Sequence, residues 1–123
     1  MLIAIIYVFY VGYGEKCMTE VGTTYRVQGD IQVLSQVVES YKSDTGLLPD
    51  SLNDLVGEYI KVLHSDPWGV DYHYEQQNGE FKIFTLGSDN KEGGIGSATD
   101  LSRDTDFDRL IEYIKEPIFG CNV

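Results

Sequence analysis

Residues 59–94 read YIKVLHSDPWGVDYHYEQQNGEFKIFTLGSDNKEGG, and the fold follows from how this stretch is punctuated. Ser65-Asp66-Pro67-Trp68-Gly69 has the composition of a turn. Pro67 fixes one backbone angle and Gly69 permits a close approach of the chain. Trp68 is expected to pack beneath a sheet or against the loop that follows. Two short strands come next, Asp71–Glu75 and Glu80–Leu86, with Gln76-Gln77-Asn78-Gly79 between them. Asn-Gly flanked by alternating residues is a strong hairpin signal. Phe81, Ile83 and Thr85 fall on one face of the second strand. Such a pair needs a third strand or a helix to bury that face.

Upstream, the period changes. Val27, Ile31, Leu34, Val38 and Tyr41 recur at three- and four-residue spacing and line one side of a helix over 23–42. Thr23 or Thr24 is a candidate cap for its start, and Gly46 marks its stop. In LLPDSLNDLV, Asp50 or Ser51 can cap a short helix reaching Val56, with Leu52, Leu55 and Val56 facing inward. This helix is the natural cover for the hairpin. A helix first and a small antiparallel sheet after it make an α+β domain.

Downstream, Gly87–Arg103 reads GSDNKEGGIGSATDLSR, seventeen residues without a regular pattern. Loops of that length inside a domain are usually functional or disordered. From Thr105 to Lys115 the pattern is helical again, with Phe107, Leu110, Ile111 and Ile114 on one side, and Pro117 stops it.

The chain carries nine basic and twenty acidic residues, a formal net charge of -11. A surface of that sign repels nucleic acid, and cations are its natural partners. The opening MLIAIIYVFYVGYG has no charge. As a helix it would be roughly 21 Å long, short of the ~30 Å hydrocarbon core. It reads as a truncated membrane anchor, an atypical export signal or a helix buried against sister subunits, in preference to a core strand at Tyr7–Val11. Gly12 and Gly14 make its end a poor continuous helix, at roughly 1 kcal/mol each relative to alanine. Cys17 and Cys121 lack CxxC partners and nearby histidines, which argues against a metal or redox motif. They are either one disulfide, formed in an oxidising compartment, or two unrelated thiols. The expected division is a hydrophobic segment over 1–22 and a globular domain over 23–123 that includes a C-terminal extension from 101.

From Asp30 to Asp100 the sequence resembles the major pseudopilin family of type II secretion systems. The likeness is carried by DIQVLSQVVESYKSDTGLLPDSL, then YIKVLHSDPWG, then an aromatic strand and GSD. The resemblance implies a pilin-like domain: a long N-terminal helix packed on a small antiparallel sheet, with a C-terminal metal-binding loop. It implies a structural subunit that self-associates into a periplasmic filament. Other pseudopilins and inner-membrane secretion components would be its partners. The N-terminal segment would supply membrane contact at the bacterial inner membrane. It also implies calcium, held by carbonyls near Phe84 and Thr85, by Asp89 and by Asp100. The sequence departs from the family in having no Gly-Phe processing site before its hydrophobic run, no glutamate within it, and one carboxylate fewer at Thr99-Asp100. Ser97, Glu92, Asp104 or water are candidate replacements.

Calcium takes six to eight oxygens, and a glycine-rich loop can turn its carbonyls inward. The loop is not an EF-hand. Asp100 is twelfth counted from Asp89, but GGIGSAT supplies few side-chain ligands, and an EF-hand carries Glu at that position. His64 and His73 have no serine or cysteine near them to form a triad. A hydrolase using Asp100 and Asp104 lacks a positioned nucleophile. Glu20, Arg26 and Glu39 are candidates for intersubunit ion pairs as well as for a solvated helix face. A filament subunit therefore leads, and a non-polymerising pilin-like accessory module of the cell envelope is the alternative. No enzyme activity is expected.

Overall fold

The computed structural model describes residues 2–115, with side chains described from residue 19 onward. Whether Cys17 and Cys121 join lies outside the described residues. Helix α1 spans Leu2–Thr45 without interruption. It therefore includes Gly12 and Gly14, contrary to expectation: two isolated glycines weaken a helix without ending it. Thr23 and Thr24 are not caps either. Both lie inside α1, and their hydroxyls donate to the carbonyls of Thr19 (2.5 Å) and Glu20 (2.8 Å) one turn back. The helix stops where expected, with Gly46 N–H donating to Lys42 O at 2.8 Å.

Val27, Ile31, Leu34 and Val38 are buried along one face of α1. They form the core with Leu52, Leu55, Tyr72, Ile83, Leu101 and Phe107. The short helix after Pro49 is a single 3-10 turn, η1, Leu52–Leu55. Asp54 accepts from the main-chain N–H groups of Asp50 and Ser51 and so closes its start. Val56 does not face inward as expected. It follows the turn in extended backbone and is 43% exposed.

The sheet has three antiparallel strands in the order β1 (His73–Gln77), β2 (Glu80–Thr85) and β3 (Leu101–Ser102). Asn78 (φ 54°) and Gly79 (φ 79°) both adopt positive φ, as the tightest hairpin turn requires. This two-residue turn draws Gln76 and Gln77 into β1, so the strand lies two residues later than read from composition. Tyr74 and Gln76 then both donate to the carbonyl of Pro49, fastening β1 to the segment before η1. The third strand sits at the end of the supposed loop. Leu101 pairs with Thr85 and is buried in the core, so Leu101 and Ser102 are part of the fold. Helix α2, Phe107–Lys115, buries Phe107, Ile111 and Ile114 as its spacing predicts. Asp106 accepts from Arg109 N–H at 3.1 Å at its start. Ile111 and Ile114 pack with Val21 of α1 in a second, smaller cluster.

Candidate functional site

The turn at Ser65–Gly69 is built around a carboxylate that the sequence reading passed over. Asp66 is 3% exposed. Its Oδ1 accepts from Trp68 N–H (3.0 Å) and Val70 N–H (2.9 Å), and its Oδ2 accepts from the Thr85 hydroxyl (2.6 Å). Main-chain bonds from Asp66 N–H to Val70 O and from Gly69 N–H to Asp66 O close the turn. Both oxygens are thus satisfied, and the turn is tied to the end of β2. The signal was an aspartate before proline at a turn, which commonly bonds backbone two residues on. Its second oxygen, directed at a strand threonine, depends on the tertiary fold. Trp68 is half-buried against the main core.

A second polar joint ties the helix to the approach to β1. The Tyr72 hydroxyl donates to Asp30 Oδ2 at 2.7 Å, and Arg26 lies 3.7 Å from the same oxygen. Burial and then the bond to Asp30 push the Tyr72 phenol well above its ordinary range. Arg26 also donates to Ser65 O at 3.3 Å. Glu39 pairs with Arg103 at 2.9 Å. Arg26 and Glu39 therefore have partners within this chain. On the far side of the helix end, Tyr59 donates to Asp44, which pushes its phenol up to about 12.

The loop over 87–100 folds back on itself. Ser88 N–H donates to Ser97 O at 2.8 Å, and Gly93 N–H donates to Asp100 Oδ2 at 3.0 Å. A side chain on Gly94 (φ 99°) would meet Ala98 O at 2.3 Å, so the two arms of the loop are in direct contact there. Asp100 Oδ1 is buried and has no hydrogen-bond partner. It lines a concavity with Phe84, Glu92 and Gly93. Asp89 is exposed, and its Oδ1 accepts from Lys91 N–H at 3.1 Å. Phe84 and Thr85 sit in the sheet, paired with Ser102 and Leu101, and the Thr85 hydroxyl is engaged by Asp66. Among the described residues, no three His, Cys, Asp or Glu side chains converge as a metal-binding group. The buried, unpartnered Oδ1 of Asp100 is an oxygen that a cation would satisfy, and Glu75 and Lys82 line the same concavity. The remaining oxygens would have to come mainly from carbonyls of the loop.

His64 is exposed, while His73 stacks on Phe84 with ring centroids 4.9 Å apart. Neither has a nucleophile beside it in any contact among the described residues.

A long helix on a small three-stranded antiparallel sheet, closed by a glycine-rich loop, defines an α+β domain of the pilin-like class. The chain belongs to the type II secretion system protein G family, whose model matches residues 18–104. It is 37% identical over 90 residues to the type II secretion system core protein G of Vibrio cholerae, a match covering 58% of this chain and 62% of that protein. It is 31% identical over 93 residues to the protein of the same name in Xanthomonas campestris pv. campestris, covering 65% of each. The Pseudomonas aeruginosa protein of that name is also 31% identical over 93 residues, covering 60% of this chain and 66% of its own length. The chain spans a little under two thirds of the length of the curated relatives it matches. Among the described residues, no helix is long and apolar enough to cross a membrane.

Proposed function

We propose that the chain is a structural subunit of a type II secretion filament, working at the inner membrane and periplasm and carrying out no catalysis. The observation that carries this reading is the reach of α1 within a member of this family. The globular layers grip α1 from Val21 to Val38, yet the helix runs on to Leu2, about 28 Å further at 1.5 Å per residue. A helix of this length, with an uncharged apolar run over residues 1–14, suits packing against copies of itself. The test is co-production with the other components of a secretion system whose own protein G has been removed, followed by imaging and an export assay. Filaments containing this chain, together with restored export, are the expected result. A chain that stays monomeric and restores nothing would move the assignment to an accessory module.

We also propose that the loop holds calcium, with Asp100 as its anchoring carboxylate and main-chain carbonyls and Asp89 as further ligands. The unpartnered Oδ1 of Asp100 supports this. Bound there, calcium would neutralise the carboxylate and tie the loop to the sheet edge. Its binding to the folded state alone should raise the melting temperature with concentration. The expected outcome is a calcium-dependent rise that chelator reverses. Asp100→Asn, which retains an acceptor for Gly93 N–H, should abolish the rise. No shift at millimolar calcium would sink the metal site.

A further inference from the structure

Among the described residues, the centre of the sheet is left open along half of one side. β2 is paired with β1 from Glu80 to Phe84, against Gln77 to His73. On its other side only Phe84 and Thr85 have partners, because β3 is two residues long. The chain then turns away, with Thr105 N–H donating to Ser102 O. The two-residue turn makes Gln77 and Glu80 a hydrogen-bonded pair, and antiparallel pairs alternate. Phe81 and Ile83 therefore direct their N–H and C=O groups to the unpaired side, in line with the pairing of Thr85 to Leu101.

That unpaired edge is one wall of a groove whose other walls are α1 and the turn after β3, at Arg103 and Asp104. Ser35 of α1 lines the groove, is 3% exposed, and has no hydrogen-bond partner for its Oγ. A buried hydroxyl without a partner is costly, and so is a strand edge out of reach of a neighbour. Both deficits are met by the same occupant. An added strand supplies main-chain groups to Phe81 and Ile83, and a polar side chain on its inward face reaches Ser35. The outer edge of β1 is also unpaired, and His73 of β1 has a buried Nε2 without a hydrogen-bond partner, but that ring is stacked on Phe84, whereas Ser35 lines the groove itself.

We propose that this slot binds an extended segment of another protein by strand addition to β2, in line with β3. The segment would carry basic flanks and a hydroxyl or amide side chain over Ser35. Charge selects the flanks. The chain is at -11, and four carboxylates stand against three cations around the groove. Main-chain hydrogen bonds would supply the affinity, and alternate side chains the specificity.

The test uses the full chain, isotopically labelled, with a soluble peptide of alternating threonine and valine flanked by lysines. The amides of Phe81 and Ile83 should shift and exchange several-fold more slowly as peptide is added. The same peptide, N-methylated on the amides that face β2, should produce neither effect. Ser35→Ala should weaken the response several-fold while leaving the melting temperature nearly unchanged. A response centred on Tyr74 and Gln76 would place binding on β1 and overturn the proposal. So would no response at millimolar peptide, or an equal response to the methylated peptide. Protection of Phe81 and Ile83 that grows with protein concentration alone would overturn it in favour of a second copy of the chain.

Discussion

Asp66 and Asp100 lie at the two ends of the segment that makes the sheet, and both hold carboxylate oxygens out of water. Asp66 meets three donors, two from its own turn and one from β2. Asp100 meets one, from Gly93, and its other oxygen is buried alone. The first carboxylate is closed by the fold itself. The second stays open to something the polypeptide does not supply. In this chain the satisfied carboxylate marks a structural joint, and the unsatisfied one is where we propose that calcium binds.

That contrast can be broken most directly at Asp66. Asp66→Ala strands two part-buried N–H groups and a buried hydroxyl, and should cost roughly 3–5 kcal/mol in urea denaturation, with or without calcium. A loss under about 1 kcal/mol would remove the distinction between the two sites. Gly94→Ala attacks the open side. With positive φ and a carbonyl in the way, it should destabilise the loop by roughly 2 kcal/mol. Local hydrogen exchange would speed up over 87–100 while the turn at 66–70 is left alone.

Tyr72→Phe tests a joint of the closed kind on the helix side, and should cost about 1.5 kcal/mol at neutral pH. The pH dependence has a fixed sign. The phenol is raised above its ordinary value near 10 in the folded state, so its contribution is intact below pH 10 and is lost as the pH climbs past it. Tyr72→Phe should flatten that alkaline decline in melting temperature. The smallest effect belongs to the exposed pair. Arg103→Ala removes a bond to Glu39 whose side chains are 62% and 53% exposed, and should cost under about 0.5 kcal/mol, less in salt.

Much of this arrangement could be read from local pattern. The Asn78-Gly79 hairpin, the buried stripe from Val27 to Val38 and the face of α2 follow from periodicity and turn chemistry, which are local. β3 could not be read, because Leu101-Ser102 has too few residues for an alternation to register and is a strand only by pairing with β2. Val56 failed because one 3-10 turn was read as a longer helix. Thr23 and Thr24 are ambiguous in sequence, because a threonine hydroxyl that can cap a helix start can equally bond the turn before inside a helix, as both do here. The missed role of Asp66 has the same origin. Half of it is local, but its bond to Thr85 spans nineteen residues, beyond what sequence spacing reveals. For the loop, the family resemblance gave Asp100 as a candidate, while its isolation and the commitment of the Asp89 side chain to its own turn required the folded chain.

The packing of α2 has a mechanical consequence. The main core holds α1 from Val27, but Ile111 and Ile114 carry the grip back to Val21, about 9 Å along the axis. The domain is therefore mounted on its shaft by two bearings. Among the described contacts, a sideways load on the outer part of the helix meets the α2 packing at Val21 before it reaches the joint that Asp30, Arg26 and Tyr72 form. Cutting the second bearing, as Ile114→Ala would, should loosen the shaft over residues 19–26 and leave the sheet as rigid as before.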